Sequence, residues 1–70
     1  MDRIVMIGSV YEHYKGQQYK VLFIANDAIT NEEVVVYEAL YGRHLIWTMP
    51  IDMFNSYVEG ENVERFKLVK

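Results

Sequence analysis

The segment Tyr11-Glu12-His13-Tyr14-Lys15-Gly16 gathers phenol rings, an imidazole, a carboxylate and an ammonium around one glycine. Tyrosine offers both a stacking face and a hydroxyl, and a lysine can sit over a ring, so this is the chemistry of a recognition surface. The structural alternative is that Tyr14 packs inward, Gly16 serves a turn and His13 caps a carbonyl. Tyr37, Tyr41, Trp47 and Met49 pose the same question further along the chain. A small domain does not bury every large side chain it carries, so these either complete the core or line an open groove. The candidate contact surface is therefore Tyr11, His13, Lys15, Tyr37, Tyr41 and Trp47.

Catalytic chemistry has little to work with. His13 and His44 are isolated histidines; Glu12 is close to the first, but neither has a partner at metal-ligand spacing, so no metal is expected. Cysteine is absent, and Ser9 and Ser56 stand in no elbow or triad pattern. A glycine-rich phosphate loop is also absent. Glu32-Glu33 falls in an expected loop, where a solvated pair of charges is the ordinary arrangement. The expectation is a protein that is not an enzyme and carries no cofactor.

Something must hold the aromatic residues in place, and 70 residues fit one domain, spanning 1–70. Hydrophobic residues make up 51% of the chain and six are tyrosines, which is enough apolar material to fold and excludes a disordered tail. With no cysteines, neither disulfides nor a structural zinc reinforces the core, leaving packing or self-association to do so. Met1 to Gly8 is apolar for only four consecutive positions and carries Asp2, which fits neither a secretory nor a transmembrane segment; the expected compartment is the cytoplasm.

The elements read as strands. Ser9 to Tyr14 alternates, with Tyr11 and His13 on one face, and Lys15-Gly16 supplies a turn because glycine takes positive φ. Tyr19 to Ala25 contains Val21-Leu22-Phe23-Ile24, apolar on both faces and expected to be covered on both. A polar connection through Asn26-Asp27 and Thr30-Asn31 leads to Glu33 to Tyr41, built on Val34-Val35-Val36-Tyr37. Gly42-Arg43 is the expected hairpin turn into His44 to Met49, and Pro50 ends that ladder. Pro50 to Phe54 suits one helical or 3₁₀ turn, with Asp52 near its positive end and Met53 and Phe54 plugging the core. Glu59 to Asn62 turns the chain into a last strand, Arg65 to Val69. The predicted fold is all-β: a small, strongly bent barrel or roll of about five strands with one short helical turn before the last.

Taken in order, Tyr11-Glu12-His13-Tyr14-Lys15-Gly16, Val34-Val35-Val36-Tyr37, Ala39-Leu40-Tyr41-Gly42, Trp47, Pro50 and Met53-Phe54 resemble the bacterial family catalogued as domain of unknown function 1653. The resemblance runs over nearly the whole chain, from Ser9 to Leu68, and no single motif carries it. It implies an SH3-like roll, in agreement with the strand reading, and it brings no catalytic or binding residues with it.

Three roles are compatible with these features. SH3-type barrels bind extended peptides on aromatic grooves flanked by acidic loops, and Glu59, Glu61 and Glu64 would supply the acids, so a protein or peptide partner comes first. Single-stranded nucleic acid is the alternative, with bases on the aromatics and a basic strip at Arg65 and Lys67. Seven Lys/Arg against ten Asp/Glu give a net charge of -3, which disfavours that alternative and an anionic membrane alike. A homodimer is the third, because strands apolar on both faces can be covered by a second copy.

Overall fold

The computed structural model describes residues 4–70. Its strands are β1 (Val10–His13), β2 (Gln18–Asn26), β3 (Glu33–Ala39), β4 (Ile46–Pro50), β5 (Tyr57–Val58), β6 (Val63–Glu64) and β7 (Phe66–Leu68), with the single helical turn α1 (Ile51–Phe54) between β4 and β5. Five strands form one sheet in the order β4-β3-β2-β1-β7, all neighbours antiparallel. The sheet does not close, and β4 and β7 are its edges. The all-β reading and the helical turn after Pro50 both hold; β5 and β6, a two-residue ladder across the Glu59–Asn62 turn, add to the expected strands.

Local chemistry sets the register. Between β1 and β2 the His13 N–H donates to the Gln17 carbonyl, and Gly16, at φ 105°, donates its N–H back to the His13 carbonyl. That three-residue loop needs a residue with positive φ at its end, which glycine accepts without strain. The pairing it fixes sets Tyr11 opposite Tyr19 on the inner face.

The β2–β3 ladder corrects the expectation of a doubly covered strand. Val21 pairs with Tyr37 and Phe23 with Val36, so Leu22 is an extra residue in a bulge. A bulge shifts side-chain parity by one. Tyr19, Val21 and Ile24 therefore share the inner face, while Phe23 is turned outward and is 64% exposed. The apolar run in β2 reflects a change of face, not cover on both sides.

Beneath the inner face lies a core of Val5, Tyr11, Val21, Val35, Tyr37, Phe54 and Phe66, with Tyr19, Ile24, Met49 and Ile51 packed against it. Pro50 precedes α1 at φ -53° and ψ 138°, a conformation that its ring favours and that launches the turn. Phe54 plugs the core at 1% exposure, but Met53 remains 47% exposed. Consecutive helical positions lie about 100° apart, so a single turn cannot aim both inward.

Candidate functional site

The inner face carries a connected array of rings. Phe54 and Phe66 stack at 4.2 Å with their planes 6° apart, and Tyr11 meets Phe54 edge-on at 5.2 Å. Tyr37 is edge-on to both phenylalanines, at 5.7 and 5.5 Å. Tyr19 continues outward from Tyr37 at 5.3 Å, and Tyr41 from Tyr19 at 5.5 Å. The hydroxyls of Tyr19 and Tyr41 share a hydrogen bond of 2.6 Å. The array thus begins in the core and ends at Tyr41, which is 45% exposed. Such T-shaped contacts set the positive edge of one ring against the negative face of the next, which fixes orientation as well as position.

The six candidate residues separate into two groups. Tyr11 and Tyr37 belong to the core, each 6% exposed, and the Tyr11 hydroxyl accepts the Met6 N–H at 2.9 Å. They are the base on which the rim is built, not a contact surface. His13, Lys15, Tyr41 and Trp47 reach solvent. His13 sits half-buried between Phe66 at 5.0 Å and Tyr14 at 4.6 Å, and its Nδ1 accepts the Lys15 N–H at 3.2 Å. It therefore caps an N–H rather than a carbonyl. Trp47 lies opposite Tyr37 on the same face of the adjacent strand. Lys15 stands at the turn with its ammonium 5.8 Å from the centre of the Tyr14 ring, which is itself exposed.

Tyr19 is the rim residue that sequence reasoning missed. A signal for it exists: two positions before Val21 it shares that residue's face, and the Gly16 hairpin places it opposite Tyr11.

Electrostatically the rim is neutral. Burial, then the hydrogen bond to Tyr41, pushes the Tyr19 hydroxyl up to about 12, and burial followed by the neighbouring Tyr41 raises Tyr37. Burial, with the charges of Lys15 and Arg65 behind it, lowers His13 below the usual histidine range. At neutral pH the surface offers uncharged phenols and an uncharged imidazole. The Lys15 N–H occupies Nδ1, leaving the proton of that ring on Nε2.

The two residues of the basic strip lie among polar neighbours, and one of them stands opposite an acid. Arg65 donates from Nε to the Ser56 hydroxyl at 3.2 Å. Lys67 is the cross-strand partner of Glu12 and shares with Glu12, His13, Tyr14, Tyr57 and Glu64 a groove of about 410 Å³. Lys20 likewise faces Glu38 across β2 and β3. His44 lies apart from His13, its Nδ1 3.1 Å from the Glu38 carboxylate. Among the described residues no group of three His, Cys, Asp or Glu side chains converges as metal ligands would, and no helix is long and apolar enough to cross a membrane.

Comparison with known proteins gives a consistent result. The model of a family described as "Protein of unknown function (DUF1653)" matches residues 9–68. The crystal structure of a protein of that family from Bordetella bronchiseptica superposes with a TM-score of 0.79 at 37% identity, covering 91% of this chain and 87% of that one. No curated protein matches.

Proposed function

This chain belongs to the DUF1653 family, and from that premise we propose that it is a non-enzymatic binding module whose partner is a protein or peptide. The contact surface is the rim of the ring array: Tyr41 and Tyr19, with His13 on one side and Trp47 on the other. The observation that carries this reading is the continuity of the array from the stacked Phe54–Phe66 pair to the exposed Tyr41. Rings anchored in this way lose little freedom when a ligand covers them, so the entropic cost of binding is small. Paired phenols add hydrogen bonds at the edge of an apolar surface, the combination that enriches tyrosine in recognition sites.

Charge supports a polypeptide over a nucleic acid. Lys20 and Lys67 each face a glutamate across the sheet, and Arg65 is engaged with Ser56. A phosphate backbone gains affinity when protein cations take the place of its condensed counterions, and here two of the candidate lysines already stand opposite carboxylates. Raised tyrosines and a lowered histidine also suit recognition, since they present neutral groups in place of an activated nucleophile. The cytoplasmic assignment belongs to the same reading.

Trp47 is the sole tryptophan and stands 48% exposed, so its emission reports directly on cover of the rim. The test pans a displayed library of random peptides against the immobilised domain, then titrates enriched peptides and oligothymidylate at low and high salt. Enriched peptides should shift Trp47 emission with little salt dependence, and Tyr41→Ala should abolish the shift. Binding of oligothymidylate that weakens steeply with salt, with no peptide enriched, would overturn the proposal in favour of nucleic acid.

A further inference from the structure

Strand β4 is an edge of the sheet, and its hydrogen-bonding pattern reveals which groups are left facing out. The Ala39 N–H donates to the Leu45 carbonyl at 2.9 Å, so that pair is a hydrogen-bonded one. Hydrogen-bonded and non-hydrogen-bonded pairs alternate along an antiparallel ladder. Tyr37–Trp47 and Val35–Met49 are then bonded pairs, while Ile46 and Thr48 direct both N–H and C=O away from β3. Pro50, which has no N–H, falls at an outward position, so β3 loses no bond to it. Pro50 blocks edge pairing at the end of the strand, but Ile46-Trp47-Thr48-Met49 carries no lysine, bulge or charge, the other devices by which natural sheets do so.

We propose that β4 pairs with β4 of a second copy of this chain, antiparallel about a two-fold axis at Trp47, joining two five-stranded sheets into one. The register follows from the donors. Setting Trp47 opposite its counterpart brings Ile46 against Thr48 twice and uses both N–H and both C=O groups of each strand, four hydrogen bonds in all. Centring on Thr48 would oppose Ile46 to Pro50, which cannot donate. Centring on Ile46 would need His44, whose φ of 53° takes it out of the strand and whose N–H already donates to the Tyr41 carbonyl.

A second copy is the occupant because the charges flanking β4 complement each other on reversal. Arg43 precedes the strand, whereas Glu32, Glu33 and Asp52 cluster around Pro50 and Ile51 at its other end. An antiparallel copy brings each basic end toward an acidic end, and does so twice. The two Trp47 rings meet at a non-hydrogen-bonded pair, where side chains approach closest, and extend the aromatic rim across the axis. The dimer goes beyond the binding role and is read without any partner present, so either can fail alone.

The test is light-scattering mass on the purified chain from low to high micromolar concentration. The wild type should approach twice its chain mass of 8.3 kDa. Thr48→Pro removes an outward N–H without touching the β3 ladder and should yield a monomer, while Phe23→Glu, on the exposed outer face, should leave the dimer intact. Because the chain has no cysteine, Trp47→Cys should cross-link to itself under mild oxidation and Met49→Cys should not; this decides the matter if Thr48→Pro does not fold. A wild type that stays monomeric throughout would overturn the inference. So would dissociation by Phe23→Glu with Thr48→Pro still dimeric, since that pattern belongs to packing of the outer faces, or cross-linking at Met49→Cys in preference to Trp47→Cys.

Discussion

Replacing Phe54 and Met53 separately should split two adjacent residues into opposite thermodynamic classes. Phe54 is 1% exposed, stacked on Phe66 and edge-on to Tyr11 and Tyr37. Truncation of a buried phenylalanine to alanine costs about 3–5 kcal/mol, through lost transfer energy and the cavity left behind. A domain of 70 residues at about 0.05–0.15 kcal/mol per residue has only about 4–10 kcal/mol in total. Phe54→Ala should therefore consume much of the stability or all of it. Met53 is 47% exposed, and Met53→Ala should stay within about 1 kcal/mol, as changes outside a packed core do. Urea unfolding followed by circular dichroism reads both. With a slope of about 1 kcal/mol/M for so small a protein, Phe54→Ala should lower the midpoint by about 3 M or leave no folded baseline, and Met53→Ala by less than about 1 M. Equal shifts for the two variants would refute the claim that α1 seats one residue only.

Other consequences follow from the same geometry. Unfolded His13 takes up a proton near its ordinary value of 6.5, which the folded state resists, so stability should fall as pH drops through 6.5; His13→Gln should flatten that part of the urea midpoint profile. At the alkaline end the sign reverses in origin but not in effect. Unfolded Tyr19 releases its proton near 10, the folded residue holds it to about 12, and stability should decline between those values, less so in Tyr41→Phe, which lacks the hydroxyl partner. A flat profile over that window would contradict the hydroxyl pairing. Gly16 sits at φ 105°, and a Cβ added there would meet nothing within 4 Å, so Gly16→Ala should cost about 1–2 kcal/mol by chemical denaturation, from backbone strain alone.

How much could be read from the chain depends on whether the signal was local. Gly16 announced its turn because only that residue type accepts the required φ, and Pro50 announced both the end of β4 and the start of α1. The β2 bulge left no such mark: Val21-Leu22-Phe23-Ile24 has the same composition whether it is covered on both sides or changes face at Leu22. Only pairing with β3 distinguishes the two. β5 and β6 are two residues each, too short for any alternation to register. β4 starts later than expected because His44, at φ 53°, breaks the extended run before Ile46. At the site, the tyrosines were visible as a class, but which were rim and which were core was decided by distant partners. Tyr11 and Tyr37 are sealed by Phe54 and Phe66 from the other end of the chain, whereas Tyr41 lies beyond the end of β3 and stays open. The face of Tyr19 was legible from Val21 and the Gly16 hairpin, but its place at the rim depends on the hydroxyl contact with Tyr41, 22 residues away.

The most direct test of the binding role is capture from bacterial lysate by immobilised wild-type domain and by Tyr41→Ala, each with and without nuclease. The wild type should retain a discrete protein that nuclease does not remove and that Tyr41→Ala loses, with the folding of the variant confirmed by a wild-type circular dichroism spectrum and a cooperative urea transition. Equal retention by both forms, or retention only of nuclease-sensitive material, would contradict a peptide-binding rim centred on Tyr41.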